Sequence, residues 1–297
     1  MTTKINTPQI KVEEKFHKKP YGVTRMHAPA IWKDAHQGEG VVNAIIDSGC
    51  DITHPDLREN IIDVRNFTDT GTKSDVQDSD IHGTHVSGIV AAKDDRKGMV
   101  GIAPKSKLLI LKVLGEGRNS GNYQSLVEAI DYAIRWRGPN NEKVATLNLS
   151  LGGQKNDADL HRAIRKAYQN GMVSVAASGN DGDGRRSTSE IFYPGFYKEV
   201  LQIGAMTRND QVAHYSNTNK NIDYVAPGTN IFSTIPNGEY AQLTGTSMAV
   251  PQITGAISLV HRLLKEKDQK ISIPNVLTTL NKCTVLTKQG DRIVSFA

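Results

Sequence analysis

The stretch VVNAII at residues 41–46, followed directly by Asp47, is the part of the sequence that decides the fold. It is short, rich in β-branched residues and almost continuously apolar, which is typical of a strand buried on both faces of a sheet. Comparable runs occur at residues 108–113, 144–149, 172–177, 200–205 and 222–226. Strands of this kind predict a parallel sheet that is covered by helices on both sides.

Helical patterns lie between these runs. Residues 121–136 place Leu126 and Ile130 on one face, and residues 157–169 repeat the pattern before Gly171, a typical C-terminal stop. Because strands alternate with helices over short connections, the sequence predicts a doubly wound α/β fold with three layers. Its sheet should be mainly parallel and flanked by helices.

The N-terminal eighteen residues differ in composition from the rest of the chain. They are rich in Lys and Glu and hold only scattered apolar residues. We therefore expect an N-terminal extension over residues 1–18 and one packed domain over residues 19–297. The extension is either an inhibitory or processed leader or a disordered tail, and the sequence leaves both open. The first thirty residues show no apolar segment typical of a signal peptide.

Charge and cysteine content argue against several classes of function. The 36 Lys and Arg residues exceed the 31 Asp and Glu residues by only 5, so we expect no nucleic-acid partner. No apolar run approaches the ~20 residues of a membrane-spanning helix, so we expect no membrane partner. Cys50 and Cys283 are too few for a disulfide framework, which predicts a reducing, cytoplasmic location. A homodimer is left open.

Four polar residues occupy places where a predicted strand ends or a predicted helix begins. Asp47 and Asn180 follow apolar strands, whereas His82 and Ser247 stand at the start of helical patterns. Each has an ordinary structural interpretation as a helix cap, a turn residue or a satisfied polar group. However, ligands of open α/β sheets bind at the carboxyl ends of the strands, which is where Asp47 is expected.

The two helices predicted to begin near His82 and Ser247 carry further features. His85 follows His82 by three positions, but the Glu and the four-residue spacing of a zinc protease helix are missing, so we expect no zinc pair. At Ser247, a helix would direct backbone N–H groups and its positive dipole end at an anion beside the hydroxyl. Pro251 is expected in the first turn of this helix, where its missing N–H costs little.

The chain order of Asp47, His82, Asn180 and Ser247 resembles that of the subtilisin-like serine proteases, the subtilases. The resemblance is closest to the intracellular subtilisins of bacilli, which begin without a secretion signal and show Gly-Cys-Asp after the catalytic Asp, as at residues 49–51. The motifs that carry it cover nearly the whole chain and lie at residues 20–23, 51–57, 101–104, 150–153, 193–195 and 225–228.

The resemblance implies a serine endopeptidase that acts on proteins and peptides through an acyl-enzyme. Ser247 would be the nucleophile, and His82 would be the general base and then the general acid. Asp47 would orient the imidazole and stabilise its charged form. Asn180 would donate its side-chain amide to the developing oxyanion.

The resemblance also implies how a substrate binds, namely as an extended strand paired with backbone on both sides. The segments that would pair with the substrate are Asn119, Ser120 and Gly121 on one side and Ser150, Leu151 and Gly152 on the other. The walls of the S1 pocket would be residues 150–152 together with Ala177, Ser178 and Gly179. Phe192 would lie at the pocket floor, where a smaller residue is common in the family. We therefore expect a broad preference for apolar P1 side chains of medium size.

Calcium is the cofactor that the resemblance implies, bound by oxygen ligands as a hard cation requires. The matching residues are Asp56 and Asp95 for one site, and Asp223 with backbone oxygens near Gly195 and Tyr197 for another. Two features weaken the expectation for the first site. Residues 93–97 include three cationic side chains, and His17 stands where the family often has an amide ligand. The alternative is that these carboxylates are surface charges or helix caps.

Two other functions compete with this interpretation. Residues 115–120, GEGRNS, follow a strand and precede a helix like a phosphate-binding turn, but the third glycine is replaced. No acidic residue ends a second strand about twenty positions later, as a dinucleotide site requires. A subtilase fold retained for binding without turnover is the second rival, and the presence of all four reactive residues argues against it.

Overall fold

A computed structural model of the protein describes residues 9–10, 19–115 and 121–297. The largest sheet of this part of the chain is parallel and has seven strands. They are β2 (Val42–Asp47), β3 (Ile61–Asn66), β4 (Lys107–Lys112), β5 (Val144–Leu149), β6 (Val173–Ala177), β7 (Val200–Met206) and β8 (Ile222–Pro227).

The described chain also contains two small antiparallel sheets and seven α-helices. The small sheets join β1 (Gln9–Ile10) to β10 (Glu239–Leu243) and β9 (Ile231–Ile235), and β11 (Thr284–Leu286) to β12 (Arg292–Val294). The helices are α1 (Tyr21–Arg25), α2 (Ala28–Ile31), α3 (His82–Ala91), α4 (Tyr123–Arg135), α5 (Ala158–Gln169), α6 (Thr246–Glu266) and α7 (Ile273–Lys282), with a 3₁₀ turn at His36–Gly38.

Strand β2 lies inside the large sheet, whose strand order is β3-β4-β2-β5-β6-β7-β8. From β2 the chain goes to the edge strand β3, returns to β4 beside β2, and then crosses to β5 and its successors on the other side of β2. The carboxyl end of β2 is therefore the switch point at which ligands of such sheets bind. The doubly wound, three-layer prediction is confirmed.

Side chains of β2 alternate between the two layers of helices. Val42, Ala44 and Ile46 pack in the core formed with α4 and α5, whereas Ile45 packs in the core formed with α3. All four are fully buried. The almost continuous apolar run that predicted this strand follows from this double coverage.

Helix α6 is attached to the sheet by buried polar side chains as well as apolar packing. Thr254 Oγ1 donates to Asn148 Oδ1 of β5 at 2.8 Å. One turn further along the helix, Ser258 Oγ donates to Asn43 Oδ1 of β2 at 2.8 Å. Because buried polar groups are costly unless paired, these contacts fix both the rotation and the depth of α6 against the sheet.

The boundary between an extension and a packed domain stays a prediction. Apart from Gln9–Ile10, residues 1–18 lie outside the described residues, as do residues 116–120 of the candidate phosphate-binding turn. Strand β1 pairs antiparallel with β10, with Ile10 opposite Tyr240. In the described part of the chain, no helix is long and apolar enough to cross a membrane. Cys50 and Cys283 are both free thiols.

The N-termini of the longer helices fall into two groups. Asn122, Asp157 and Ser272 cap α4, α5 and α7 by accepting hydrogen bonds from backbone N–H groups of the first turn. Helices α3 and α6 have no such cap on their N-cap residues, Ile81 and Gly245. Their free N–H groups must find partners elsewhere, and these two helices begin at the carboxyl edge of the sheet.

Candidate active site

Asp47 and His82 form a buried pair at the end of β2 and the start of α3. His82 Nδ1 lies 2.7 Å from Asp47 Oδ1, and both side chains are only 1% exposed. Ser48 N also donates to Asp47 Oδ1 at 2.7 Å, which holds the carboxylate in place. Among the described residues His82 Nε2 has no hydrogen-bond partner, so this nitrogen is free to act on another molecule or side chain.

The charge of Asp47 decides the protonation behaviour of His82. Burial lowers the pKa of the imidazole, but the negative charge and hydrogen bond of Asp47 outweigh that effect. The pKa of His82 is therefore raised above its usual range. A positive charge that develops on this ring is stabilised, which suits a group that accepts a proton during a reaction.

Ser247 lies in the first turn of α6 and is fixed to the end of β5. Its Oγ donates to Ser150 O at 2.9 Å, and Ser150 Oγ donates to Ser247 O at 2.9 Å. The prediction that Pro251 lies in the first turn is wrong, because α6 begins at Thr246 and Pro251 falls inside the helix. A proline there removes the N–H that would bond Ser247 O, and Ser150 Oγ supplies the donor instead.

The pairing of the strands brings these residues to one edge of the sheet. Ile45 of β2 pairs with Asn148 of β5, so Asp47 and Ser150 lie two residues further at the same level. Neighbouring strands are about 4.8 Å apart. Since Ser247 is fixed to Ser150, the residues Asp47, His82 and Ser247 all lie at this edge of the sheet.

Asn180 follows β6 and is oriented by the start of α6. Its Oδ1 accepts hydrogen bonds from Thr246 N at 2.9 Å and Thr246 Oγ1 at 3.0 Å, so the amide Nδ2 must point to the other side. A Cβ atom added to Gly245 would lie 3.4 Å from Asn180 Nδ2 and 3.8 Å from Ser247 N. Asn180 Nδ2 and Ser247 N therefore both lie close to the Cβ position of Gly245.

Phe192 lies between the two backbone segments that the sequence suggested as pocket walls. A Cβ atom on Gly152 would lie 2.5 Å from Phe192 Cε1, and one on Gly179 would lie 3.0 Å from Phe192 Cγ. The ring is 6% exposed, and the wall residues Leu151, Ala177 and Ser178 are buried as well. Asn119 and Ser120 lie outside the described residues, whereas Gly121 precedes α4.

Comparison with known proteins agrees with this geometry. A family model described as the subtilase family matches residues 38–287. The chain belongs to the subtilase family. The major intracellular serine protease of Bacillus subtilis strain 168 is 42% identical over 90% of this chain and 82% of that protein. The intracellular serine protease of Paenibacillus polymyxa is 40% identical over 93% of this chain and 83% of that protein. Subtilisin E of Bacillus subtilis strain 168 is 39% identical over 81% of this chain and 60% of that protein. The expectation of a subtilisin-like serine protease is confirmed.

The first set of candidate calcium ligands in this subtilase already has a positive partner. Lys93 Nζ lies 3.1 Å from Asp95 Oδ2. Asp56 is 2% exposed, and its Oδ2 accepts a hydrogen bond from Tyr240 OH at 2.9 Å. Burial raises the pKa of Asp56. Because an ammonium group neutralises one of the two carboxylates, this set fits a calcium ion poorly.

The second set is better suited to a hard cation. Asp223 Oδ2 accepts a hydrogen bond from Gln202 N at 2.8 Å, and burial raises the pKa of the carboxyl. The Gln202 side chain is fully buried, and neither its Oε1 nor its Nε2 has a partner among the described residues. Its Cγ would lie 3.3 Å from a Cβ atom on Gly195. The unpaired Gln202 Oε1 is an oxygen ligand of the kind that a hard cation prefers, on a side chain that lies close to Gly195. No cluster of three or more His, Cys, Asp or Glu side chains occurs in the described chain.

The sequence analysis missed four residues that shape the site. Thr246 orients Asn180, Ser48 holds Asp47, Asp78 accepts hydrogen bonds from the first turn of α3, and Lys112 donates to Ser48 O at 2.6 Å. Ser48 and Thr246 could have been suspected because each neighbours a predicted catalytic residue. Asp78 and Lys112 carry no local signal, since their contacts with Ser48 span 30 and 64 residues of sequence.

His85 is a structural residue of the subtilase and not a metal ligand. Its Nε2 lies 2.9 Å from Ile231 O and 3.3 Å from Ala241 O, which fixes the N–H on Nε2 and ties α3 to β9 and β10. The side chain is fully buried. Burial, with the neighbouring His82 adding to it, lowers the pKa of His85 to about 3.

We expect His85 to make the folded protein sensitive to acid. The unfolded chain binds a proton on this side chain below about pH 6.5, whereas the folded chain does not until about pH 3. Stability is therefore full above pH 6.5 and falls by about 1.4 kcal/mol per pH unit as acid is added. His85→Gln keeps the N–H donor but cannot titrate. Urea unfolding of wild type and variant between pH 7 and pH 4 measures this difference, and parallel curves would contradict the assignment.

Proposed function

We propose that this subtilase hydrolyses peptide bonds through Ser247, His82 and Asp47, with Asn180 in the oxyanion hole. The observation that carries the proposal is the buried 2.7 Å contact between His82 and Asp47 at the switch point where Ser247 is held. A serine hydroxyl is a poor nucleophile at neutral pH, so a base must accept its proton during the attack. His82 Nε2, which lacks a partner among the described residues, is that base.

The proposed reaction proceeds through an acyl-enzyme. The Ser247 hydroxyl turns from Ser150 O towards His82 Nε2, transfers its proton to the ring and attacks the carbonyl carbon of the substrate. Asp47 stabilises the imidazolium, and Asn180 Nδ2 and Ser247 N donate to the oxyanion. The imidazolium then protonates the leaving amine. In the second half, water gives a proton to His82 and attacks the ester carbonyl, and His82 returns that proton to the Ser247 oxygen as the acid product leaves.

We expect Ser247→Ala to abolish hydrolysis while the fold stays intact. Purified wild type should cleave casein and a succinyl-Ala-Ala-Pro-Leu anilide and should be labelled by a fluorophosphonate, whereas the variant should do neither. Asn180→Ala should lower kcat by about 100- to 1,000-fold, as the loss of one oxyanion donor does in enzymes of this type. Thermal unfolding of each variant serves as the folding control.

Cleavage of peptide esters by the Ser247→Ala variant would contradict the assigned nucleophile. Thermal stabilisation of the wild type by ATP or NAD, without labelling, would favour the nucleotide-binding alternative. The same assay addresses residues 1–18, which we propose as an extension of a peptidase domain at 19–297. Loss of these residues during an initial lag indicates a processed leader, whereas immediate cleavage at intact mass indicates an extension without inhibitory effect.

We propose a broad preference for apolar P1 side chains of medium size. The position of the Phe192 ring between Gly152 and Gly179 supports a shallow S1 pocket, because the ring occupies space that a large aromatic side chain would need. Extended substrates would pair with the backbone of residues 150–152.

We expect wild type to cleave Leu and Met anilides more efficiently than Phe anilides. Phe192→Ala should raise the ratio of kcat/KM for Phe over Leu by about 10-fold or more, since the pocket gains several carbon volumes. Phe196→Ala is the control, because this nearby ring contacts Tyr193 from the edge and should leave the ratio unchanged. A wild type that strongly prefers Phe and Tyr would contradict the proposal.

We propose one structural calcium ion, held by Asp223 with oxygens of Gly195 and Tyr197. The unpaired Gln202 amide beside Gly195 supports this choice, whereas the pairing of Asp95 with Lys93 argues against the set of Asp56 and Asp95. A bound ion would supply the positive charge that the buried Asp223 carboxylate favours.

We expect calcium to raise the melting temperature of the wild type. At a concentration of about 100 times the Kd, a site present only in the folded state stabilises by about 2.7 kcal/mol. Asp223→Asn should abolish the rise, and Asp95→Asn should retain it. Calorimetry in calcium and in a chelator measures both, and the reverse pattern would assign the ion to the first set.

We infer a cytoplasmic location and protein or peptide substrates. Two of the relatives are named intracellular serine proteases, and both Cys50 and Cys283 are free thiols, as a reducing compartment favours. A homodimer remains a hypothesis that size-exclusion chromatography with light scattering tests directly.

A further inference from the structure

Asp78 is a buried carboxylate that the proposed chemistry does not use. It lies in the loop before α3, is 5% exposed and accepts four hydrogen bonds. Its Oδ1 receives them from Ser48 Oγ at 2.8 Å and Asp80 N at 3.1 Å. Its Oδ2 receives them from Thr84 N at 2.7 Å and Thr84 Oγ1 at 2.6 Å.

The hydrogen bonds of Asp78 lead directly to the catalytic pair. Ser48, which donates to Asp78, follows Asp47 in the chain and donates its own N–H to Asp47 Oδ1 at 2.7 Å. Ser48 Oγ also accepts a hydrogen bond from Gly83 N, next to His82, at 2.9 Å. The Ser48 hydroxyl thus connects Asp78 to both catalytic residues, because Ser48 follows Asp47 and Gly83 follows His82 in the chain.

Asp78 and Ser48 together replace the missing N-cap of α3. The N-cap residue Ile81 is in the left-handed region, with φ of 58°, and gives no side-chain hydrogen bond to the helix. The free N–H groups of Gly83 and Thr84 go to Ser48 Oγ and Asp78 Oδ2 instead. Because buried N–H groups need partners, these two contacts determine where the first turn of α3, and hence His82, can lie.

The hydrogen bonds also indicate that Asp78 is ionised. Burial raises the pKa of this carboxyl, and its hydrogen bonds with Thr84 and Ser48 oppose the rise. Ser48 Oγ accepts from Gly83 N and Thr84 Oγ1 accepts from Asp51 N, so both hydroxyl protons point at Asp78. All four contacts can therefore be made by donors to Asp78, an arrangement that favours the carboxylate and opposes the effect of burial.

We propose that Asp78 is a positioning residue of the proteolytic site. It fixes the start of α3 so that His82 meets Asp47, and its buried negative charge stabilises the imidazolium that forms on His82 during the attack. This inference rests on the proposed function. The charge is effective because solvent screens a buried pair much less than an exposed one. The titratable groups that interact with His82 are Asp47 on β2, Asp78 and Asp80 in the loop and His85 on α3. Cys50 faces Asp78, and the Lys112 ammonium group donates to Ser48 O.

Asp78→Asn tests both parts of the proposal at once. The new amide group faces donors, so the first turn of α3 must shift, and a displacement of about 1 Å can lower kcat/KM by roughly 100-fold. Loss of the negative charge lowers the pKa of His82, so the acid limb of kcat/KM against pH moves to lower pH. A purely structural role would lower the plateau and the melting temperature without moving the acid limb.

Two further variants separate anchoring from charge. Ser48→Ala removes the bridging hydroxyl and keeps the carboxylate, so the plateau of kcat/KM should fall while the acid limb stays in place. Asp80→Asn removes a charge near His82 without removing a side-chain hydrogen bond to Asp78, so its plateau should match wild type. If Asp78→Asn does not fold, the Ser48→Ala variant tests the proposal by itself. A plateau of kcat/KM equal to that of wild type in Ser48→Ala then overturns the proposal.

A titration without turnover distinguishes this inference from the proposed function. In Ser247→Ala protein, NMR of the His82 ring measures its pKa directly, and adding Asp78→Asn should lower it. An unchanged His82 pKa, together with a wild-type plateau for Asp78→Asn, overturns the role of Asp78 while leaving the protease intact. Failure of wild type to hydrolyse any substrate overturns the proposed function instead.

Discussion

The hydrogen bond between Asp47 and His82 requires two ionisable side chains to be removed from water together. Each would be costly to bury alone, but at 2.7 Å each compensates the other. The contact also joins the central strand of the sheet to the start of α3, so it forms only when both are correctly placed. This placement depends on the parallel order of the strands and on the packing of α3. The attachment of α6 to β5 brings Ser247 to the same edge of the sheet.

The main strands could be predicted because they are covered on both faces. Runs such as residues 144–149 contain almost only apolar and small residues, and β5 has the same bounds. The edge strand β3 was missed because it is half exposed and includes Asp63 and Arg65, so its apolar pattern is interrupted. The hairpin of β9 and β10 was also missed, although the Pro-Asn-Gly turn at residues 236–238 is a typical signal.

The candidate site could be predicted only in part, for a physical reason. Asp47, His82, Asn180 and Ser247 stand at the ends of elements, where a cap or a turn residue is equally natural, and only their combined resemblance to a family separates the two interpretations. Asp78 gives no such signal, because its importance depends on the link that Ser48, 30 residues earlier in the chain, makes between it and the catalytic pair. Polar groups buried by tertiary contacts follow no period along the sequence, so a pattern cannot reveal them.

Pro251 and Ser150 illustrate a constraint that acts between distant parts of the chain. The proline deprives the Ser247 carbonyl of its helical donor, and the Ser150 hydroxyl supplies the replacement from the sheet. Loss of the Ser150 hydroxyl alone leaves this buried carbonyl without a donor, because Pro251 has no N–H. A substitution of Ser150 is therefore expected to be tolerated only where a residue with an N–H replaces Pro251, whereas a change at Pro251 alone keeps the carbonyl paired, since its oxygen has two lone pairs.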